Sequence, residues 1–170
     1  GALMSVICSN ALDHAVLDLG LTDPTAVLQK INAVIRAQLG QDQEGPSPND
    51  GMDLAFCAYL LDEHLLQFAG AKRPLYLLRQ GEIFEFEANK VSIGGGIEQE
   101  AEPTFKGKTI KLEKNDQIYI FSDGVTDQFG GDSNKKFMPR RLRAALLETA
   151  NQPMVEQGVH FRALINEWRG

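Results

Sequence analysis

The chain has little cysteine, little histidine and no long apolar run. Its two cysteines both lie in apolar surroundings, Cys8 at a helical position and Cys57 in a strand-like run. With no ligand partners nearby they read as small buried hydrophobes rather than a metal pair or a disulfide, and a reducing compartment fits. The three histidines, His14, His64 and His160, fall in a helix, a turn and a helix, without metal spacing. No apolar stretch approaches the roughly 18 residues that a membrane-spanning helix needs, and no secretory signal pattern is visible. These absences give a cytoplasmic expectation. Basic residues are outnumbered: 17 Lys and Arg against 23 Asp and Glu leave a formal net charge of −6. With no basic stripe to offset the acids, a general nucleic-acid binder is disfavoured. There is no internal repeat, no low-complexity tract, and no Ser/His/Asp or Cys/His constellation suited to a protein nucleophile.

What is present suits one soluble globular domain: 170 residues are enough for a real core. Apolar residues at Leu3, Met4, Ile7, Cys8, Leu12, Val16 and Leu19 recur at helical spacing, and Gly20 ends that helix. Thr22-Asp-Pro24 predicts a second helix with core face Val27, Leu28, Ile31, Val34, Ile35 and Leu39, closed by Gly40. The short connection predicts a helical hairpin. Residues 41–51 are polar and rich in turn formers, so an exposed loop is expected there. A β meander follows, with strands at 54–61, 65–69, 75–78 and 83–86. Gly94-Gly-Gly96 reads as a loop or bend. Strands at 109–112 and 117–121 flank the turn Glu113-Lys-Asn-Asp116, and helices at 138–150 and 153–168 close the chain, the last weakened by Gly158. Helices, then consecutive strands, then helices predict an α+β fold: antiparallel sheets flanked by a helix pair on each outer face.

The chemistry gathers at Ile118-Tyr-Ile-Phe-Ser-Asp-Gly-Val-Thr-Asp127. A β-prone apolar run ends there at an acid and a glycine. That places the Asp123 carboxylate at the end of a rigid element, with Gly124 free to turn sharply and approach an ion. Asp123 with Asp127 is either one half of a hard-metal site or an ordinary turn. Asp53 is either a site residue or a polar residue at a strand start. Lys72 and Arg73, like Lys135 and Lys136, are solvated charges or contacts for phosphate or an acidic partner. The basic first turn from Pro139 to Arg143 opposes the helix dipole.

Several segments resemble the bacterial PP2C-like (PPM) serine/threonine phosphatases of the SpoIIE type. Gly1-Ala-Leu-Met-Ser is similar to the helix that follows the family's Asp-x-x-Gly-His-Gly motif, and Asp50-Gly-Met-Asp-Leu-Ala55 to the acidic approach to its central strand. Phe68-Ala-Gly-Ala-Lys-Arg-Pro-Leu-Tyr-Leu77 resembles its Tyr-Ala-Asn-Ala-Gly-His-Asn-Pro-type segment. Tyr119-Ile-Phe-Ser-Asp-Gly-Val-Thr-Asp127 resembles its Thr/Ser-Asp-Gly metal motif. Gln128-Phe-Gly-Gly with Lys135-Lys-Phe137 resembles a subgroup often attached to sensory modules.

The resemblance implies an αββα sandwich and a signalling phosphatase that uses two Mn2+ or Mg2+ ions. A metal-activated water there attacks a phosphoserine or phosphothreonine. It makes Asp123 the principal metal ligand and catalytic residue, Asp127 a second ligand, and Gly124 the close-approach residue. It implies a phosphoprotein substrate such as a STAS-type anti-sigma-factor antagonist, an upstream sensory domain, and no nucleic acid. The family's first and last acidic motifs are expected just before Gly1 and just after Gly170. The sequence thus reads as a single partial domain, truncated at both ends and inactive by itself, with open sheet edges that favour a homodimer. The alternative is a non-catalytic scaffold or signal receiver built on the same fold.

Overall fold

The computed structural model describes residues 2–38, 51–95, 103–131 and 133–170. Leu39, Gly40, the 41–50 segment with Asp50, and Gly96 lie outside the described residues, as does Gly1. The chain forms two compact units, Gly1–Leu75 with Phe86–Lys114, and Tyr76–Glu85 with Asn115–Gly170.

The first unit begins with α1 (Ala2–Asp13), which passes into a π-helical turn, His14–Asp18, where an uninterrupted helix was expected. Gly20, at φ 63°, ends it in the left-handed region that glycine enters without steric cost. Helix α2 (Pro24–Gln38) starts where Asp23 Oδ2 accepts the Ala26 N–H at 2.8 Å, so the aspartate carboxylate caps it. Val27, Leu28, Ile31 and Ile35 make one fully buried stripe, as their spacing predicts. Each such side chain contributes about 1.5–3 kcal/mol relative to exposure. The stripe packs with α1, β1 (Leu54–Leu60) and β2 (Leu65–Ala71), sharing a core with Ala69, Ala71, Ile93 and Phe105. β2 lies centrally between β1 and β5 (Gly107–Lys111), antiparallel to both.

The second unit holds most of β3 (Leu75–Arg79) and β4 (Glu82–Phe86), joined through Gln80 (φ 51°) and Gly81 (φ 80°). Two successive positive φ angles are the signature of a type I′ hairpin turn. The sheet order is β4-β3-β6, with β6 (Gln117–Ile120) beside β3. β5 and β6 are therefore not a hairpin, although only a tight turn separates them. Their hydrogen-bonding partners lie in different sheets, which turn length alone cannot reveal. Arg79 clasps Asp116 through two parallel bonds, Nε–Oδ1 at 2.8 Å and Nη2–Oδ2 at 2.6 Å, fixing the start of β6 against β3.

The rest of this unit comprises α3 (Asp123–Thr126), the two-residue strands β7 (Phe129–Gly130) and β8 (Lys135–Lys136), α4 (Met138–Glu148) and α5 (Met154–Arg169). α5 runs unbroken through Gly158. Buried Tyr76, Phe137, Leu142 and Leu146 form the core, with Phe121, Val125, Phe161 and Trp168 against it. Phe121, expected as the last strand residue, lies just beyond β6 and meets Tyr76 edge-on at 5.0 Å. Beneath α5, the Tyr119 hydroxyl donates to Gln157 Oε1 at 2.8 Å, and the Gln157 amide donates to Gln117 Oε1 at 3.0 Å. Burial raises the Tyr119 pKa, and the Gln157 bond partly opposes that. The fold class is α+β, built of helices and antiparallel sheets.

Candidate functional site

Strand β6 delivers the chain to Ser122, still extended at φ −88° and ψ 168°, and Asp123 opens the single turn of α3. The Asp127 N–H donates to the Asp123 carbonyl at 2.7 Å, and the buried Thr126 hydroxyl donates to the same oxygen at 3.4 Å. Asp127 caps the same turn that Asp123 opens, so the two carboxylates stand at its two ends. Asp123 is exposed. Asp127 accepts a 2.8 Å ion pair from Lys136 Nζ on β8, with both side chains about half exposed. Lys136 is thus an ion-pair partner of Asp127 rather than a bare solvated charge.

Gly124 departs from expectation. It lies inside the α3 turn, outside the positive-φ region, so no sharp glycine turn occurs there. What its missing side chain provides is room: a Cβ would meet Ser122 Oγ at 3.3 Å.

Asp53 belongs to the first unit and is engaged on both oxygens. Arg73 Nη2 donates at 2.6 Å and Ser92 Oγ at 2.7 Å, with the carboxylate 24 % and the guanidinium 18 % exposed. Three separate segments meet in this clasp. Arg73 is consequently not a solvated loop charge. Its neighbour Lys72 is exposed, at φ 55°, and its N–H donates to the Asn89 carbonyl at 2.7 Å.

Asp123 and Asp127 supply the hard oxygen donors that Mn2+ or Mg2+ prefers. Their number falls short. Among the described residues no group of three His, Cys, Asp or Glu side chains is placed to hold an ion, and Asp127 already carries Lys136. The residues fit such an ion in kind and do not complete its coordination.

Sequence reasoning missed the β7–β8 hairpin, because two-residue strands show no alternation. The available signal was Gly130-Gly131 followed five residues later by Lys135-Lys136. Gly131 N–H donates to the Trp168 carbonyl at 2.7 Å, and Trp168 Nε1 donates to the Gln128 carbonyl at 3.0 Å. A Cβ at Gly130 would overlap that same Trp168 carbonyl. The glycine pair is what lets α5 seat on the hairpin.

The family model for stage II sporulation protein E (SpoIIE) matches residues 1–168. No curated protein sequence matches the chain significantly. Among solved structures it is similar to the SiaA-PP2C domain of Pseudomonas aeruginosa, with 29 % identity and a TM-score of 0.85 over 99 % of this chain and 63 % of that one. The catalytic domain of the serine/threonine phosphatase PstP, in complex with two manganese ions, matches at 21 % identity and TM-score 0.59 over 98 % of this chain and 75 % of that one. The phosphatase domain of SpoIIE from Bacillus subtilis, presoaked with Mn, matches at 12 % identity and TM-score 0.53 over 95 % and 64 %. The chain thus spans less than two thirds of the SiaA-PP2C and SpoIIE domains it resembles. With β6 and the Ser-Asp-Gly turn in place and the family match running through both units, the chain belongs to the SpoIIE family and carries a PP2C-like phosphatase fold.

Proposed function

We propose that the chain serves as a Mn2+- or Mg2+-dependent protein serine/threonine phosphatase domain. The observation that carries this reading is the Asp123–Asp127 turn at the end of β6, within a match to the family that runs nearly end to end. When bound, the ion lowers the pKa of water and offsets charge on the phosphoryl group. In this chain Asp123 would hold the ion, with Asp127, which is ion-paired with Lys136, as a second ligand. Two carboxylates among the described residues make a weak site, so the 170-residue chain alone is expected to turn over poorly, with further side chains of a longer protein needed to complete the coordination. The substrate class is a phosphoserine or phosphothreonine regulator, of which a STAS-type anti-sigma-factor antagonist is one, and a sensory domain in the same protein supplies the signal.

The missing third ligand among the described residues favours one competing reading, a non-catalytic signal receiver on a phosphatase fold. Hydrolysis of p-nitrophenyl phosphate and of a phosphothreonine peptide, with and without Mn2+, decides between them. It is measured for this chain, for the longer protein containing it, and for Asp123→Asn in that protein. Mn2+-dependent turnover is expected in the longer protein. Because even the neighbours of a metal ligand are worth about 10–100-fold, Asp123→Asn is expected to cost at least about 100-fold. A longer protein that neither turns over nor retains Mn2+ is the signal receiver.

A further inference from the structure

Within the second unit, the β7–β8 hairpin, the start of α4 and Trp168 bound a cleft of about 1140 Å³. Its lining carries Lys135, Lys136, Arg140 and Arg141 and, among the described residues, no acidic side chain. In a chain of net charge −6 that is a local reversal of sign among the described residues, which do not include Asp132. Lys135 and Arg140 are exposed, and no described residue forms an ion pair with either. Arg141 stacks on Trp168 and Lys136 pairs with Asp127, but Lys135 and Arg140 have no such contact among the described residues, and Arg140, at the start of α4, opposes the helix dipole and reduces stability. A concentration of like charge that works against its own helix points to an external anion.

The walls indicate what kind of anion. Arg141 lies over the Trp168 ring at 4.1 Å, and the indole is fixed by its bond to Gln128, so one wall is a rigid aromatic–cationic pair. Phe129 and Met138 line the same cleft and are each about half exposed, leaving apolar surface beside the charges. Met138 is held at φ 70°, a conformation costly for a side chain of its size and one that tends to collect at functional sites. A free phosphate would fill a small part of this volume and touch none of the apolar surface. A nucleic acid would carry its charge far beyond the cleft, across an acidic protein. A short polypeptide with acidic residues around an apolar one matches both features.

We propose that this cleft docks an acidic segment, with an apolar anchor, of the phosphoprotein on which the domain acts. The identity of that partner as substrate rests on the phosphatase reading; the docking chemistry does not. Lys136 links the cleft to the candidate site, because it ion-pairs Asp127. An acidic side chain arriving at Lys136 competes with Asp127 for the ammonium, so docking frees a carboxylate four residues from Asp123.

Trp168 is the only tryptophan in this sequence and lines the cleft, so its fluorescence reports on that part of the fold. The test titrates the chain with an unphosphorylated ten-residue peptide rich in Asp and Glu around a central leucine. Its Gln-for-acid counterpart, inorganic phosphate and a short DNA strand are run beside it. A saturable change specific to the acidic peptide, weakening with salt, is expected. Lys135→Glu with Arg140→Glu should weaken it about tenfold, as two reversed surface charges would. Arg140→Gln alone should weaken it less, and circular dichroism checks that each variant folds. No saturation with the acidic peptide, equal binding by its Gln counterpart, an equal response to phosphate, tighter binding of DNA, or unchanged affinity in the folded double variant would each overturn the proposal. Peptide binding by a longer protein without phosphatase turnover sinks the enzyme reading and leaves the docking site standing; turnover without peptide binding does the reverse.

Discussion

Replacing Asp53 separates a structural clasp from a metal ligand. Its two oxygens take one bond each, from Arg73 at 2.6 Å and from Ser92 at 2.7 Å. Asn keeps the shape: its carbonyl still accepts from Arg73, and its amide donates to the Ser92 hydroxyl. Only charge assistance is lost, and at 24 % exposure water screens part of that, so about 1 kcal/mol of stability should go. Ala removes both bonds and leaves the guanidinium, itself 18 % exposed, without this carboxylate, costing about 2–3 kcal/mol. In a domain of this size that corresponds to a melting temperature lower by about 2–4 °C for Asn and 4–12 °C for Ala. Urea unfolding followed by far-UV circular dichroism measures the change, since α1 and α2 lie in the same unit as Asp53. Mn2+ affinity, titrated in parallel, should stay the same. The clasp reading fails if Asn proves as harmful as Ala. It also fails if neither variant moves stability by 0.5 kcal/mol while Mn2+ binding drops more than about tenfold, because Asp53 is then a ligand.

Gly130→Ala places a Cβ on the Trp168 carbonyl, a backbone atom that cannot rotate away. The α5–hairpin contact should loosen, costing about 1–3 kcal/mol and shifting Trp168 emission to the red; an unchanged spectrum and urea midpoint would show that the contact is dispensable. Burial pushes the Cys57 thiol from its ordinary 9.0 up to about 11. The neutral thiol is favoured in the fold, so this contribution to stability is complete below pH 9.0 and is lost as pH rises toward 11. Iodoacetamide should accordingly label Cys57 far more slowly at pH 8 in the native chain than in urea, and equal rates would contradict the burial argument.

Much of the fold was legible because its causes are local. The apolar stripe of α2, the Asp23 cap, the Gln80-Gly81 turn and the apolar run of β1 each follow from a few neighbouring residues. The Ser-Asp-Gly stretch was legible as the end of a strand. Its conversion into a helical turn was not, because the bonds from Asp127 N–H and the Thr126 hydroxyl to the Asp123 carbonyl exist only once that turn closes. The basic start of α4 had no local explanation at all. Its setting appears only in the fold, where Arg140 and Arg141 line a cleft together with β7, β8 and Trp168.

The sequence by itself determined the fold class and the family, because periodicity, turn residues and motif order are written along the chain, and it put forward Asp123 and Asp127 as candidate ligands. Only the tertiary structure decided that β5 and β6 part into different sheets, that Asp53 is held by Arg73 and Ser92, and that Lys136 reaches back to Asp127. Those outcomes join residues far apart along the chain or depend on close packing across elements. No local preference encodes them, since their energy appears only when the elements meet.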